Sequence, residues 1–146
     1  MSGLISLFIP VTLLPVSGLH LAWALGSTFP AEDEKDLARA VTGFRGMDRM
    51  PPRAASALVA LATFICALWP FAMTGNLLTV LPAWMATLGG IVLALIFSAR
   101  GIAGYTSRWR ALTPEQPFAR LDRQFYSPLC LALGLSFFIL TIGRFS

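Results

Sequence analysis

The feature that most constrains this chain is the length of its uncharged segments. Residues 54–99 contain no lysine, arginine, aspartate or glutamate, and neither do residues 1–31. A helix crosses a bilayer with about 20 mostly apolar residues, because the hydrocarbon core is about 30 Å thick and each residue adds about 1.5 Å. The longer segment is therefore sufficient for two crossings and the shorter one for a third.

The composition of the chain supports the same interpretation. Hydrophobic residues make up 56% of the 146 residues and charged residues only 12%. A soluble domain carries about 25% charged residues, which keep its surface in water. The apolar residues also form long blocks and do not alternate with a polar face. We therefore predict an all-α integral membrane bundle of four transmembrane helices, a single domain over residues 1–146.

Turn-forming and helix-starting residues divide the apolar segments into spans. Gly75, Asn76 and Pro82 interrupt the long uncharged segment. Ser127 followed by Pro128 is typical of a helix start near the C-terminus. The first segment lacks the basic start of a signal peptide, so we expect it to be retained. The predicted spans are residues 3–25, 54–74, 80–99 and 125–143.

The basic residues predict the orientation of the bundle. Two predicted loops, residues 27–53 and 100–123, contain all but one of the 11 lysines and arginines, and Arg144 is the exception. Basic loops of membrane proteins stay in the cytoplasm. We therefore expect both termini outside and both long loops in the cytoplasm. These loops also account for the net charge of +4, so we expect no nucleic-acid partner.

Both loops carry patterns of their own. In the first, Ser27 or Thr28 can cap a short helix and Pro30 can open it. Leu37, Val41 and Phe44 recur at helical spacing on one face of this predicted helix, which would rest on the bilayer surface or against the bundle. The second loop interleaves aromatic residues, Trp109 among them, with arginines, which indicates a position at the headgroup level.

Five polar and aromatic residues are predicted to share one depth, at the end of the bundle that carries the loops. The first and third helices end there, and the second and fourth begin there. The candidate ligand-binding residues are His20, Trp23, Arg100, Asp122 and Tyr126. No charged residue lies in the middle of a predicted span, which disfavours an ion-coupled pump.

His20 is the single histidine of the chain and the candidate catalytic residue. Its ordinary pKa of about 6.5 suits acid/base chemistry, and an axial ligand is a second reading. The alternative is a structural imidazole that hydrogen-bonds Ser127, Tyr126 or a backbone carbonyl. One histidine and two separated cysteines do not supply converging metal ligands, and a haem would lack its second axial histidine. We therefore predict no metal and no cofactor.

Three stretches carry a resemblance to a known family. They are "GLHLAWALGSTFP" (18–30), "RGIAGY" (100–105) and "PFARLDRQFYSPLCLALG" (117–134), and the last is the most specific. Together they resemble the small bacterial four-helix membrane proteins of domain-of-unknown-function family 3995. The resemblance implies a multi-pass protein of the bacterial inner (plasma) membrane with no assigned activity.

Three functions are compatible with these patterns. The leading hypothesis is a protein that binds a lipid-like small molecule, or a partner protein, near its cytoplasmic face. The alternative is a membrane enzyme, of isomerase or reductase type, that acts on a hydrophobic substrate with His20. The third is a structural subunit of a membrane complex. A cavity beside His20 would favour the enzyme, and outward faces rich in small residues would favour the subunit.

Overall fold

A computed structural model of the chain describes residues 2–74 and 81–145, and the predicted all-α class is confirmed. The described part contains no β-strand. Its elements are α1 (Ser2–Ala24), α2 (Glu34–Val41), α3 (Arg53–Thr74), α4 (Ala83–Ala103), α5 (Ser107–Leu112), α6 (Phe118–Leu121), a π-helical turn (Asp122–Tyr126) and α7 (Ser127–Ile142). We call the end of the bundle that carries α2 and α5 the loop end.

Four of the helical segments are long and apolar enough to cross a membrane. They are Gly3–Ala24, Arg53–Thr74, Ala83–Ala103 and Phe118–Ile142. The last is continuous, because the π-helical turn joins α6 to α7 without a break. The chain is therefore a multi-pass membrane protein, and its described residues contain four helices that can span a membrane.

Two span boundaries differ from the predicted ones. The third span continues to Ala103, so Arg100 lies inside its last turn. The fourth span begins at Phe118 and not at residue 125. Ser127 does not start this helix, because its N–H donates to the carbonyl of Asp122 in the π-helical turn. The helix is therefore already formed before the chain reaches Ser127 and Pro128.

Of the predicted break between the second and third spans, only the C-terminal side lies within the described residues. Pro82 directly precedes α4. Gly75, Asn76 and the predicted helix start at residue 80 lie outside the described residues.

Two pairs of helices make the main contacts of the bundle, α1 with α3 and α4 with α7. Small residues allow close approach. The Ser17 hydroxyl of α1 donates to the Ala60 carbonyl of α3 at 2.8 Å. Between α4 and α7, a Cβ added to Gly134 would overlap the hydroxyl of Ser98. Such packing replaces the hydrophobic effect as the force that holds helices together in lipid.

At the end of the bundle opposite the loop end, the side chain of Arg144 hydrogen-bonds to α3 and α4. Its Nε donates to Thr87 Oγ1 at 2.8 Å, and its Nη2 donates to the Ala83 carbonyl at 3.2 Å. Its Nη1 donates to the carbonyl of Met73 near the end of α3. The one basic residue at this end therefore fastens the C-terminus of the fourth span to α3 and α4.

The helix of the first loop starts later than predicted. It begins at Glu34, because Asp33 accepts a hydrogen bond from the Asp36 N–H at 2.8 Å and caps it. The predicted cap at Ser27 or Thr28 is therefore wrong. Leu37 is buried, so α2 packs against the bundle and does not lie on the bilayer surface alone. Phe44 follows the helix and stays exposed.

Candidate functional site

A buried ion pair lies where α4 meets the fourth span at the loop end. Arg100 Nη2 and Asp122 Oδ1 are 2.6 Å apart, and the Asp122 side chain is 4% exposed. The same oxygen accepts the Ser127 hydroxyl at 3.2 Å, and Oδ2 accepts the Trp109 indole N–H at 3.0 Å. We call these four residues the Asp122 cluster.

Local backbone features bring the members of the Asp122 cluster together. Gly104 ends α4, and a Cβ there would overlap the Ser127 hydroxyl. The absence of a side chain at this position lets α4 approach the fourth span. Thr106 caps α5 by accepting the backbone N–H of Trp109 at 3.3 Å, which fixes the start of the helix that carries the indole. The Arg100 guanidinium then lies 4.7 Å from the centroid of the Trp109 ring, a cation–π contact.

The carboxylate of Asp122 finds its hydrogen-bond partners within the Asp122 cluster. Its Oδ1 accepts a charge-assisted hydrogen bond from Arg100 and a neutral one from Ser127, and its Oδ2 accepts a neutral one from Trp109. A carboxylate in a membrane span is costly, and the opposite charge of Arg100 offsets that cost. The cluster therefore fixes α4, α5 and the fourth span relative to one another.

His20 and Trp23 form a second group on α1. His20 Nδ1 lies 2.9 Å from the Val16 carbonyl of its own helix. A carbonyl oxygen only accepts, so Nδ1 is the donor of this hydrogen bond. The two rings are 4.6 Å apart, and the Trp23 indole donates to the Phe29 carbonyl at 2.7 Å.

Tyr126 belongs to a third group, which joins the two loops. Its hydroxyl donates to the Ala40 carbonyl of α2 at 3.3 Å, and its ring lies 5.7 Å from that of Phe118. Phe118 packs onto Gly43, where a Cβ would overlap the ring and where φ is +70°. The Glu115 N–H also donates to the Gly43 carbonyl at 3.1 Å.

The five residues predicted from the sequence are thus divided among three groups. Arg100 and Asp122 are in direct contact, and so are His20 and Trp23. Among residues 2–74 and 81–145, no hydrogen bond, ion pair or ring contact links His20 to Arg100, Asp122 or Tyr126.

A basic cleft, which the sequence pattern did not reveal, lies beside the start of the fourth span. Its volume is about 550 Å³, and its polar side chains are Arg110, Gln116, Arg120, Arg123 and Gln124. Arg110, Arg120 and Arg123 are all exposed. In the described part of the chain, no carboxylate lines this cleft and none of its guanidiniums forms an ion pair.

A signal for this cleft was nevertheless present in the sequence. Arg120, Arg123 and Gln124 are spaced three and four residues apart, which places them on one face of a helix. The same arginines also predict the orientation of the bundle and a loop at the headgroup level, and neither prediction implies a cleft. Arg110 comes from α5, and no local pattern indicates that it meets the other two.

The basic cleft lies at the loop end of the fourth span. Phe118–Ile142 has 25 residues, whereas about 20 suffice to cross the hydrocarbon core. The lining residues Ala119, Arg120, Arg123 and Gln124 belong to the first two turns of this helix. They therefore lie at one end of the span and not in its middle.

Two further observations bear on the chemistry of the site. A smaller hollow of about 330 Å³ lies between α4 and α7 and is mostly apolar, and His20 lines neither it nor the basic cleft. Within the described residues, no three His, Cys, Asp or Glu side chains are grouped in a way that could hold a metal ion.

Comparison with known proteins places the chain in a family. Residues 13–137 match the family described as "Protein of unknown function (DUF3995)", and the match includes the Asp122 cluster and the basic cleft. No curated protein and no solved structure shows significant similarity to the chain. Since the match covers most of the sequence, the chain belongs to the DUF3995 family of proteins of unknown function.

Proposed function

We propose that this protein lies in the bacterial inner membrane and binds an anionic, lipid-like molecule at the cytoplasmic headgroup level, in the basic cleft. The excess of basic residues at the loop end supports an orientation with that end in the cytoplasm and both termini outside.

One observation carries the proposal: in the described part of the chain, three arginines and no carboxylate line the basic cleft. Arginine keeps its positive charge at every physiological pH, so the field of Arg110, Arg120 and Arg123 is permanent. Basic pockets at the cytoplasmic ends of membrane helices suit anionic lipid headgroups. Gln116 and Gln124 add amide groups that can donate to and accept from such a headgroup.

The residues predicted from the sequence have supporting roles in this proposal. Asp122 and Arg100 hold Trp109 in place, and Trp109 directly precedes Arg110. Tyr126 fastens α2 to the fourth span. His20 and Trp23 do not line the cleft, and we assign them no contact with the headgroup. No cofactor is part of the proposal.

Co-purification of lipid tests this function. The full-length protein is extracted in mild detergent, and native mass spectrometry identifies what stays bound. We expect an anionic lipid on the wild-type protein and its loss from the Arg120→Gln/Arg123→Gln variant. Arg108→Gln is the matched control, because Arg108 is exposed and does not line the cleft. Equal retention of the lipid by both variants would refute the proposal.

A further inference from the structure

We propose that the basic cleft selects a multiply charged phosphate, as in a phosphate monoester or diphosphate headgroup, over a singly charged phosphodiester. This inference rests on the proposed function and narrows its ligand to one chemical class.

The charge of the cleft favours a ligand with more than one negative charge. Its three arginines supply three fixed positive charges. The adjacent carboxylate of Asp122 does not reduce this charge, because it is paired with Arg100 at 2.6 Å. Glu115 precedes the lining residue Gln116 but does not line the cleft. A phosphodiester carries one charge, whereas a phosphate monoester carries about 1.5 to 2 at neutral pH.

The number of acceptor oxygens points to the same class of ligand. A guanidinium binds phosphate through a planar fork of N–H donors. A phosphate monoester offers three free oxygens, one for each of Arg110, Arg120 and Arg123, whereas a phosphodiester offers two. The arginines belong to separate elements, α5 and the start of the fourth span. A terminal phosphate can therefore bind arginines of α5 and of the fourth span at the same time.

The size of the cleft leaves room for more than one phosphate. A volume of about 550 Å³ lies inside the range of about 300–1,000 Å³ that is usual for small-molecule sites. Gln116 and Gln124 can bind a second phosphate or the hydroxyls of a headgroup.

A multiply charged phosphate has two possible sources, a lipid headgroup and a soluble diphosphate. The cleft lies at the end of a helix that is long and apolar enough to span a membrane, which favours the lipid, since the tail of such a ligand would remain in the bilayer. The experiment must therefore compare both sources.

The test measures binding to the full-length protein in phosphatidylcholine nanodiscs by native mass spectrometry. The probes are phosphatidic acid, a phosphate monoester, and phosphatidylglycerol, a phosphodiester with the same acyl chains. We expect phosphatidic acid to bind at least about tenfold more tightly. Arg120→Gln and Arg123→Gln should each remove most of this preference, whereas Arg108→Gln should leave it unchanged. Circular dichroism verifies that the variants are folded.

A pH series provides an independent measurement. The second ionisation of a phosphate monoester falls near pH 6, so its charge decreases on acidification. Binding of phosphatidic acid should weaken several-fold from about pH 7.5 to about pH 5.5, while that of phosphatidylglycerol stays constant. Glutamine has no ionisable group, and arginine as a residue type stays protonated far above this range. His20 lies outside the cleft, so His20→Gln should keep the same pH dependence.

The outcomes separate the inference from the proposed function. Equal binding of both lipids, lost in the arginine variants, would overturn the selectivity and support the lipid site. Lipid binding that no arginine variant changes would overturn both. Inorganic pyrophosphate is the soluble probe. If it bound as tightly as phosphatidic acid, with the same dependence on Arg120 and Arg123, the charge preference would stand and the lipid assignment would fail.

Discussion

Arg100 and Asp122 belong to different membrane spans, and their side chains meet at 2.6 Å at the loop end of the bundle. The pair links the third span to the fourth. It also holds α5, because the second oxygen of Asp122 accepts the Trp109 indole N–H. The wall of the basic cleft that carries Arg110 therefore depends on a carboxylate that does not line the cleft.

Replacement of Asp122 by Asn should destabilise the protein. The change leaves the half-buried charge of Arg100 without its partner, at a cost of about 1–3 kcal/mol. Denaturant titration of the purified protein in detergent measures the loss. Asp48→Asn is the matched control, because Asp48 pairs with Lys35 but is 55% exposed, and such pairs contribute about 0–1 kcal/mol. Equal losses in the two variants would contradict this role for Asp122.

Gly104→Ala should separate α4 from the fourth span. The new Cβ would overlap the Ser127 hydroxyl, and overpacking of this kind costs about 1–3 kcal/mol. The midpoint of thermal unfolding should fall accordingly. Gly18→Ala serves as the comparison, because nothing lies within 4 Å of a Cβ at that position of α1. We expect it to be neutral or slightly stabilising, since alanine favours helix. A neutral Gly104→Ala would mean that the close approach is not needed.

Trp109→Phe should weaken ligand binding more than it weakens the fold. The phenyl ring keeps an aromatic face for Arg100 but loses the N–H that Asp122 accepts. The segment that carries Arg110 would then be less firmly held. We expect the affinity for phosphatidic acid to fall about three- to tenfold, with a small change in stability. Unchanged affinity would show that Arg110 is positioned without Trp109.

Arg144, at the end of the bundle opposite the loop end, should contribute to stability without deciding orientation. Arg144→Gln removes charge-assisted hydrogen bonds to Met73, Ala83 and Thr87. A loss of about 1–3 kcal/mol in denaturant titration is expected. Thr87→Ala, which removes one of the three acceptors, should cost less. The orientation should persist, because the basic residues of the loop end remain.

Cysteine labelling in intact bacterial cells tests the orientation itself. With Cys66 and Cys130 replaced by alanine, a cysteine introduced by Phe145→Cys should react with a membrane-impermeant maleimide. One introduced by Arg108→Cys should react only after the membrane is permeabilised. Both positions are exposed, so accessibility within the protein does not limit the reaction. The opposite labelling pattern would reverse the proposed topology.

The spans could be predicted because membrane crossing depends on local apolar length. The start of the fourth span could not, because the π-helical turn carries the helix through a stretch of mixed polarity. Arg123 is the neighbour of Asp122 in the sequence, yet Asp122 pairs with Arg100. The choice of Arg100 follows from the close approach at Gly104, which is a tertiary feature.

The candidate site was only partly predictable for a related reason. Topology fixes the depth of a residue, but the lateral arrangement of the helices decides which residues meet. His20 shares its predicted depth with Arg100, yet α1 packs mainly against α3 and α4 against α7. The basic cleft likewise requires Arg110 of α5 to meet Arg120 and Arg123 of the fourth span. No pattern within one segment specifies such a meeting.

The π-helical turn also determines the angular phase between the two halves of the fourth span. An α-helix rotates by about 100° per residue, and a π turn accommodates one residue more than an α turn. Deletion of Gln124 would restore regular α geometry and rotate the preceding turn by about that angle relative to α7. Arg120 would turn away from Arg110, while the packing of α7 in the membrane would be unchanged. The π-helical turn thus sets the direction in which the first turns of the fourth span face relative to α7.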